Sequence, residues 1–184
     1  MTREQSLELL KQNLSNQNLI KHCLAVEAVM RALAHHFNED ENKWGLAGLL
    51  HDIDYEKTKN DSNQHSIIGA QMLGEAGLDK ETCQAVRVHN EIHGFSLETL
   101  IDKALFTVDP LTGLIVAATL VLPSKKITDL TTKNVLNRFP EKSFARGADR
   151  EIIKKCEELL NIKLERFVDI TLKAMQQISD ELGL

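Results

Sequence analysis

The sequence predicts an all-α fold, a compact single domain over residues 1–184, and three observations carry that prediction. Apolar residues recur at helical spacing along nearly the whole chain. Aromatics make up only 4% of the residues, where a β-sandwich or barrel would draw on more aromatic strand formers. Nine Gly and three Pro are too few to punctuate many short strands. An apolar fraction of 42% is enough to bury a core without disulfides or a structural metal.

Taken in order, the periodicity predicts helices over 3–13 and 18–37, the second with an inward stripe of His22, Val26, Val29 and Leu33. Asn38, with Glu41 three residues later, has capping-box form for a helix over 41–52. The stripe of that helix runs through Trp44, Ala47 and Gly48 to His51. Residues 53–63 are polar and aperiodic and read as a loop. A helix over 64–77 carries His65, Ile68, Met72 and Ala76 on one face and stops at Gly77. Asp79 is the expected N-cap of a helix over 80–93, with Thr82, Ala85, Val86 and His89 inward and Gly94 at its end. Ser96 is the expected cap for 97–108, where Ile101 and Leu105 lead to Asp109. Asp109 and Pro110 form a good Ncap–N1 pair for a helix over 110–122. The apolar run from Leu111 to Leu122 is short of the ~20 residues of a membrane span and reads as a core helix. Helices over 131–138, 148–160 and 163–182 follow. The last sets Leu164, Phe167, Leu172, Met175, Ile178 and Leu182 on one face, for intrachain docking or a homodimer seam.

Bulk properties mostly exclude. A net charge of −5 argues against a nucleic-acid polymer as the main partner. Cys23, Cys83 and Cys156 are odd in number and far apart, which fits a reducing, cytoplasmic setting. The first residues show no apolar run of signal-peptide kind, and no membrane partner is expected. One stretch stands apart: Lys125 to Lys155 carries nine Lys or Arg against four Asp or Glu. It is a solvated face or a positive rim for an anionic ligand.

The polar groups on the inward stripes need an explanation. Five segments each place an ionisable side chain where apolar packing is expected: His22, His51, His65, His89 and Asp109. A lone inward histidine is commonly a hydrogen-bonded core residue, but an unpaired buried carboxylate is costly. A divalent metal at their convergence removes the cost, because imidazoles and carboxylates ligate it and its charge offsets their burial. Asp52, next to His51 where periodicity ends, reaches the same centre from a frayed last turn, and a metal reverses the penalty of an anion at a helix C-terminus. His35 and His36 end a helix beside Phe37 and read as solvated. His89-Asn90-Glu91-Ile92-His93 is not a zinc-protease motif, because Glu91 is one position late and turned by about 100°.

This order of residues resembles the HD-domain superfamily of metal-dependent phosphohydrolases: a His, an apolar helix entering His-Asp, and a distant Asp. Here these are His22, His51-Asp52 within GLLHDID, and Asp109 within FTVDPLTGL. The dinuclear subset adds two intervening histidines, and His65 and His89 take those places. The resemblance spans roughly residues 18–122, leaving 123–184 as a helical extension. Many relatives have Gly after His-Asp-Ile, where this chain has Asp54. The cyclic-dinucleotide branch has a His-His pair in place of His89-Asn90 and a Gly-Tyr-Pro signature that is missing here.

The resemblance implies one or two divalent ions (Mn, Fe, Zn, Ni, Co or Mg). One would be held by His22, His51, Asp52 and Asp109, the other by His65 and His89 with Asp52 bridging. It implies hydrolysis of a small phosphorylated metabolite or nucleotide, with Asp52 and Lys57 as catalytic candidates. Lys57 and Lys59, with Arg87 and Asn90 flanking His89, are the expected phosphate-binding residues. The same ligands also suit a mixed-valent di-iron oxygenase or a non-catalytic metal-binding module.

Overall fold

The computed structural model describes residues 1–141 and 143–184, so Lys142 of the cationic stretch lies outside the described residues. All regular structure among them is helical. The chain opens with α1 (Arg3–Asn13), started by a reciprocal capping box between Thr2 and Gln5. Then come α2 (Gln17–Phe37), capped by Asn16, and α3 (Glu41–Leu50). The expected Asn38–Glu41 capping box does not form. Asn38 instead ends α2 in the left-handed conformation that Asn tolerates, and Asp40 caps α3 by accepting from the N–H groups of Asn42 and Lys43.

Joined by only three residues, α2 and α3 pack as a helical hairpin. Gly48 lets them close: a Cβ there would lie 2.8 Å from the Val26 carbonyl oxygen. Glu27 of α2 is buried beneath them, its carboxylate taken by Arg3 at 2.6 Å and by Arg31 at 3.0 Å. That ion pairing satisfies a charge which would otherwise be costly to bury.

The predicted loop at 53–63 contains a short helix, α4 (Tyr55–Thr58), too brief to show a period. After it come α5 (Ile67–Glu75) and α6 (Lys80–Val88), the latter capped by Asp79 as expected. His65 falls outside α5, because Ser66 adopts a φ of +71° that no helix continues through. A single 3₁₀ turn over Glu91–His93 ends at Gly94.

The two helices expected on either side of Asp109 are one, α7 (Leu100–Leu120), with Pro110 inside it. Its cap is Thr99, in a box with Asp102, and not Ser96. Proline leaves the Phe106 carbonyl without its helical N–H partner, a break of about 3 kcal/mol. Packing outweighs this: Leu111, Leu114, Ile115 and Ala118 beyond the proline are all buried. Joining the two segments makes α7 the one helix among the described residues long and apolar enough to cross a bilayer, and 61% of its apolar window is buried in the protein. It is the central helix of the molecule, touching α2, α3 and α6 as well as the C-terminal helices.

Those helices are α8 (Thr132–Arg138), α9 (Arg150–Lys154), α10 (Cys156–Leu159), α11 (Leu164–Gln177) and α12 (Ser179–Leu182). The long spans expected over 148–160 and 163–182 are each broken once, at Lys155 and at Ile178. The apolar face of 163–182 docks within the chain: Phe167, Leu172, Met175 and Leu182 are buried in the common core, with α11 against α2. Residues 123–184 thus share the core of the preceding helices.

Candidate metal centre

Each of the six inward ionisable groups arrives from a different part of the frame. His22 stands in the second turn of α2 and Asp109 at the middle of α7. His51 and His89 are the residues that close α3 and α6, still in helical conformation. Asp52 lies in the turn that follows His51, and His65 in the turn before α5. The structure brings all six together.

Asp52 organises the arrangement. Its Oδ2 faces His22 Nε2 at 3.7 Å and His51 Nε2 at 3.5 Å, while its Oδ1 faces His65 Nε2 at 3.3 Å and His89 Nε2 at 3.7 Å. One carboxylate therefore spans two imidazole pairs. On the first side, Asp109 Oδ1 closes in at 3.0 Å from His22 Nε2 and 3.8 Å from His51 Nε2. The ligating atoms of His22, His51 and Asp109 form one compact group, and those of His51, Asp52 and His89 form another.

Every imidazole is held from behind by its Nδ1, leaving Nε2 for the centre. His51 Nδ1–H donates to the Gly48 carbonyl at 2.8 Å, and His89 Nδ1–H to the Val86 carbonyl at 2.6 Å, each three residues back on its own helix. The Thr112 hydroxyl donates to the Asp109 carbonyl at 2.9 Å and so accepts from His22 Nδ1–H at 3.2 Å. His65 Nδ1–H donates to Asp54 Oδ1 at 2.8 Å. Partners of this kind fix the tautomer in which the outward nitrogen can ligate.

The electrostatics agree with a cation site. Burial opposes charge on Asp52, but His51, His65, His89 and His22 outweigh it and hold the carboxyl well below the usual range. Asp109 is likewise lowered: burial raises it, and His22 more than compensates. Burial pushes His51 down to about 4, so its ring is neutral and free to ligate near pH 7. His65 is driven down by burial yet held up, at about 10, by hydrogen bonds to Asp52 and Asp54. Four imidazoles and two ionised carboxylates are an N/O donor set suited to Zn, Mn, Fe, Co or Ni.

A small chamber of about 160 Å³ opens over His65, His89 and Asp109. Asn90, Glu91 and Phe106 line it, together with Gly147, Asp149 and Ile152 from the C-terminal segment. Lys155 holds its ammonium 5.3 Å from the Phe106 ring centre. Burial and Asp149 raise the Glu91 carboxyl, and Lys155 opposes them.

The expected phosphate-binding residues mostly stand elsewhere. Lys57 Nζ donates to Asn13 Oδ1 of α1 at 2.8 Å, because α4 turns that side chain toward the N-terminal helix. Lys59 is exposed beside Glu56. Arg87 is exposed with its guanidinium 4.9 Å over the Phe95 ring. Asn90 alone of the four lines the chamber. Of the cationic stretch, Arg150 is spent on the carbonyls of Phe144, Ala145 and Ala148, and the residues that face the chamber are Gly147, Asp149 and Ile152. None of the described Lys or Arg side chains of that stretch lines the chamber, so the expected positive rim does not form there; Lys155 is linked to it only through the Phe106 ring and its charge on Glu91. Sequence periodicity could not reveal Asp54, Thr112, Phe106 or Lys155 as neighbours of the site, since none departs from its local pattern in a way that points to a ligand.

Comparison with known proteins accounts for this geometry. The HD domain family matches residues 19–109, a segment that begins just before His22 and ends on Asp109. The chain carries an HD domain. HD domains belong to a superfamily of metal-dependent phosphohydrolases. An uncharacterized protein of Methanocaldococcus jannaschii is 34% identical over 94 residues, covering 48% of this chain and 54% of that protein. Ribonuclease Y of Lawsonia intracellularis is 29% identical over 139 residues, and that of Desulforudis audaxviator 30% over 142. Each of these alignments covers 74% of this chain, but only 26% and 27% of the respective Ribonuclease Y. The HD domain chain thus aligns with about half of its archaeal relative and about a quarter of each Ribonuclease Y. No solved structure matches the chain.

Proposed function

We propose that this HD domain is a phosphohydrolase acting on a small phosphorylated metabolite or nucleotide. The observation that carries the reading is the Asp52 carboxylate, with one oxygen on the His22–His51 pair and the other on the His65–His89 pair. Asp52 would then be shared between two divalent ions, one held with His22, His51 and Asp109 and the other with His65 and His89. Divalent ions supply Lewis acidity and activate water for attack on phosphorus. The rest falls to the chain. Asp52 and Asp109 would set the charge of the site, and His22, His51, His65 and His89 would turn their Nε2 atoms to it. Asn90 lines the chamber and shapes its wall, its amide donating to the Ser62 and His65 carbonyls and accepting from the Ile92 N–H. Lys155, next to Phe106, is the cation we assign to the substrate phosphate in place of Lys57, Lys59 and Arg87.

A chamber of about 160 Å³ suits a phosphoryl group with little else, so the remainder of the substrate extends outside it. The likeness to Ribonuclease Y adds a phosphodiester of RNA to the substrates worth testing, although it covers only about a quarter of those chains.

The test is metal analysis of the purified protein beside a panel of phosphate monoesters, nucleotides and a short oligoribonucleotide, run in air and without oxygen. Hydrolysis unchanged without oxygen supports the proposal, and turnover that requires oxygen replaces it with oxygenase chemistry. Asp52→Ala should abolish hydrolysis and reduce bound metal while leaving the helical content. Full activity in a metal-free Asp52→Ala protein sinks the proposal.

A further inference from the structure

Three of the four centre-facing histidines are anchored by the helices that bear or face them, and one is not. His51 and His89 donate to carbonyls one turn back on their own helices. His22 is held by Thr112 of the neighbouring α7. His65 stands in a turn, before a residue with φ of +71°, with no helical turn behind it. Behind the ring, on the side away from Asp52, its Nδ1 is held by a single carboxylate, Asp54, at 2.8 Å.

That carboxylate is itself fixed. Asp54 is fully buried. Its Oδ2 accepts from the N–H groups of Ser66 at 2.9 Å and Gly69 at 2.7 Å. Ser66 makes no capping bond of its own to α5, so Asp54 caps that helix from a distance. Gly69 permits the approach, since a Cβ at that position would stand 3.2 Å from the carboxyl carbon. One oxygen thus sets the start of α5 and the other sets the His65 ring. A buried acceptor with two backbone donors on one side has little freedom left to swing.

We propose that Asp54 is a positioning residue which makes His65 a metal ligand, so that it governs the ion on the His65–His89 side of Asp52 and not the ion on the His22–His51 side. It acts by keeping the His65 proton on Nδ1 and turning Nε2 toward Asp52. The inference rests on the reading of His65 as a ligand. Its expected size follows from carboxylates behind ligating histidines, whose loss costs about 10–100-fold in metal affinity.

The experiment titrates the metal-free protein with Zn²⁺ by calorimetry and records the imidazole ¹⁵N–¹H spectrum of the Zn²⁺-loaded form. Wild type, Asp54→Asn, Gly69→Ala and His65→Gln are compared, each checked for helical content by circular dichroism. Asp54→Asn should weaken one binding step about 10–100-fold, leave the other in place and lose the His65 Nδ1–H resonance. Gly69→Ala, which keeps Asp54 but crowds its carboxylate, should weaken the same step. His65→Gln should abolish it. Wild-type affinity at both steps in Asp54→Asn overturns the proposal, as does an unchanged His65 Nδ1–H resonance. If Asp54→Asn loses helical content, Gly69→Ala decides: retained affinity at both steps overturns the proposal. If wild type binds one ion only, the two-ion reading fails by itself, and the assignment to Asp54 is judged on the His65 resonance alone.

Discussion

His22 Nε2 and His51 Nε2 face each other at 3.2 Å, each with its other ring nitrogen already engaged. Two imidazole nitrogens this close are a poor end in themselves, because His51 is fully buried, His22 is only partly exposed, and only one can donate to the other. With Asp109 at 3.0 Å from His22 they close three sides of a cation site. His51→Gln should therefore lose more than the about 10–100-fold in Zn²⁺ affinity that removing an outer partner costs. Equilibrium dialysis against Zn²⁺ or Mn²⁺ measures it, and wild-type affinity in the variant would refute the ligand assignment.

Ligand binding to the folded state alone stabilises it, by about 2.7 kcal/mol at a free-ion concentration of about 100 Kd. For a chain of this size each kcal/mol shifts the melting temperature by about 2–4 °C. Chelation should then lower it by about 5–10 °C, and readdition of Zn²⁺ should restore it. Binding should also release protons, because Asp52 and Asp54 together keep a second proton on His65 at neutral pH. Calorimetry in buffers of different ionisation enthalpy reads that release. Heats independent of buffer would show that His65 does not give up a proton to the metal.

Much of this centre is legible in the sequence, for a definite reason. His22, His51, His89 and Asp109 each extend an apolar helical stripe, so periodicity alone points them inward. His65 is legible only through the order of residue types, because it lies in a turn where the stripe drawn through Ile68 and Met72 does not apply. Pro110 misleads in the opposite way: its local chemistry favours a helix start, and only the buried contacts of Leu111 to Thr119 carry α7 through it. Asp54 shows in sequence only as a departure from glycine in a polar stretch. Its role depends on Ser66 and Gly69, more than ten residues away, which no local pattern reports.

Gly48 supplies a prediction about geometry rather than chemistry. It sits one turn before His51, and it is the carbonyl that holds the His51 ring. A methyl group there would meet the Val26 carbonyl at 2.8 Å and the Glu27 Cα at 3.0 Å, both backbone atoms that cannot swing aside. Gly48→Ala should destabilise the fold by about 1–3 kcal/mol, as overpacking does. It should also weaken Zn²⁺ binding, since α2 and α3 must separate and they carry His22 and His51. Urea denaturation with a parallel metal titration tests both. A stable variant with unchanged affinity would show that the close approach is not required.

The cap of α6 offers a pH-dependent test away from the centre. Asp79 accepts from the Glu81 and Thr82 N–H groups, from the Thr82 hydroxyl at 2.6 Å and from Lys43 at 3.3 Å. Burial pushes the Asp79 carboxyl up, but the Thr82 hydroxyl, the Thr82 N–H and Lys43 outweigh it and hold it below its usual value. A carboxyl depressed in the folded state adds stability above its unfolded pKa of about 3.9, and that stability is lost as pH falls through the folded value. Asn at this position can still cap, so Asp79→Asn isolates the charge. The side chain is half exposed, and solvent screening limits the charge to about 0.3–1 kcal/mol at pH 7. Paired urea titrations of wild type and Asp79→Asn should show that gap at pH 7 and its disappearance near pH 2. A gap that persists in acid would mean that the variant disturbs the capping geometry and not only the charge.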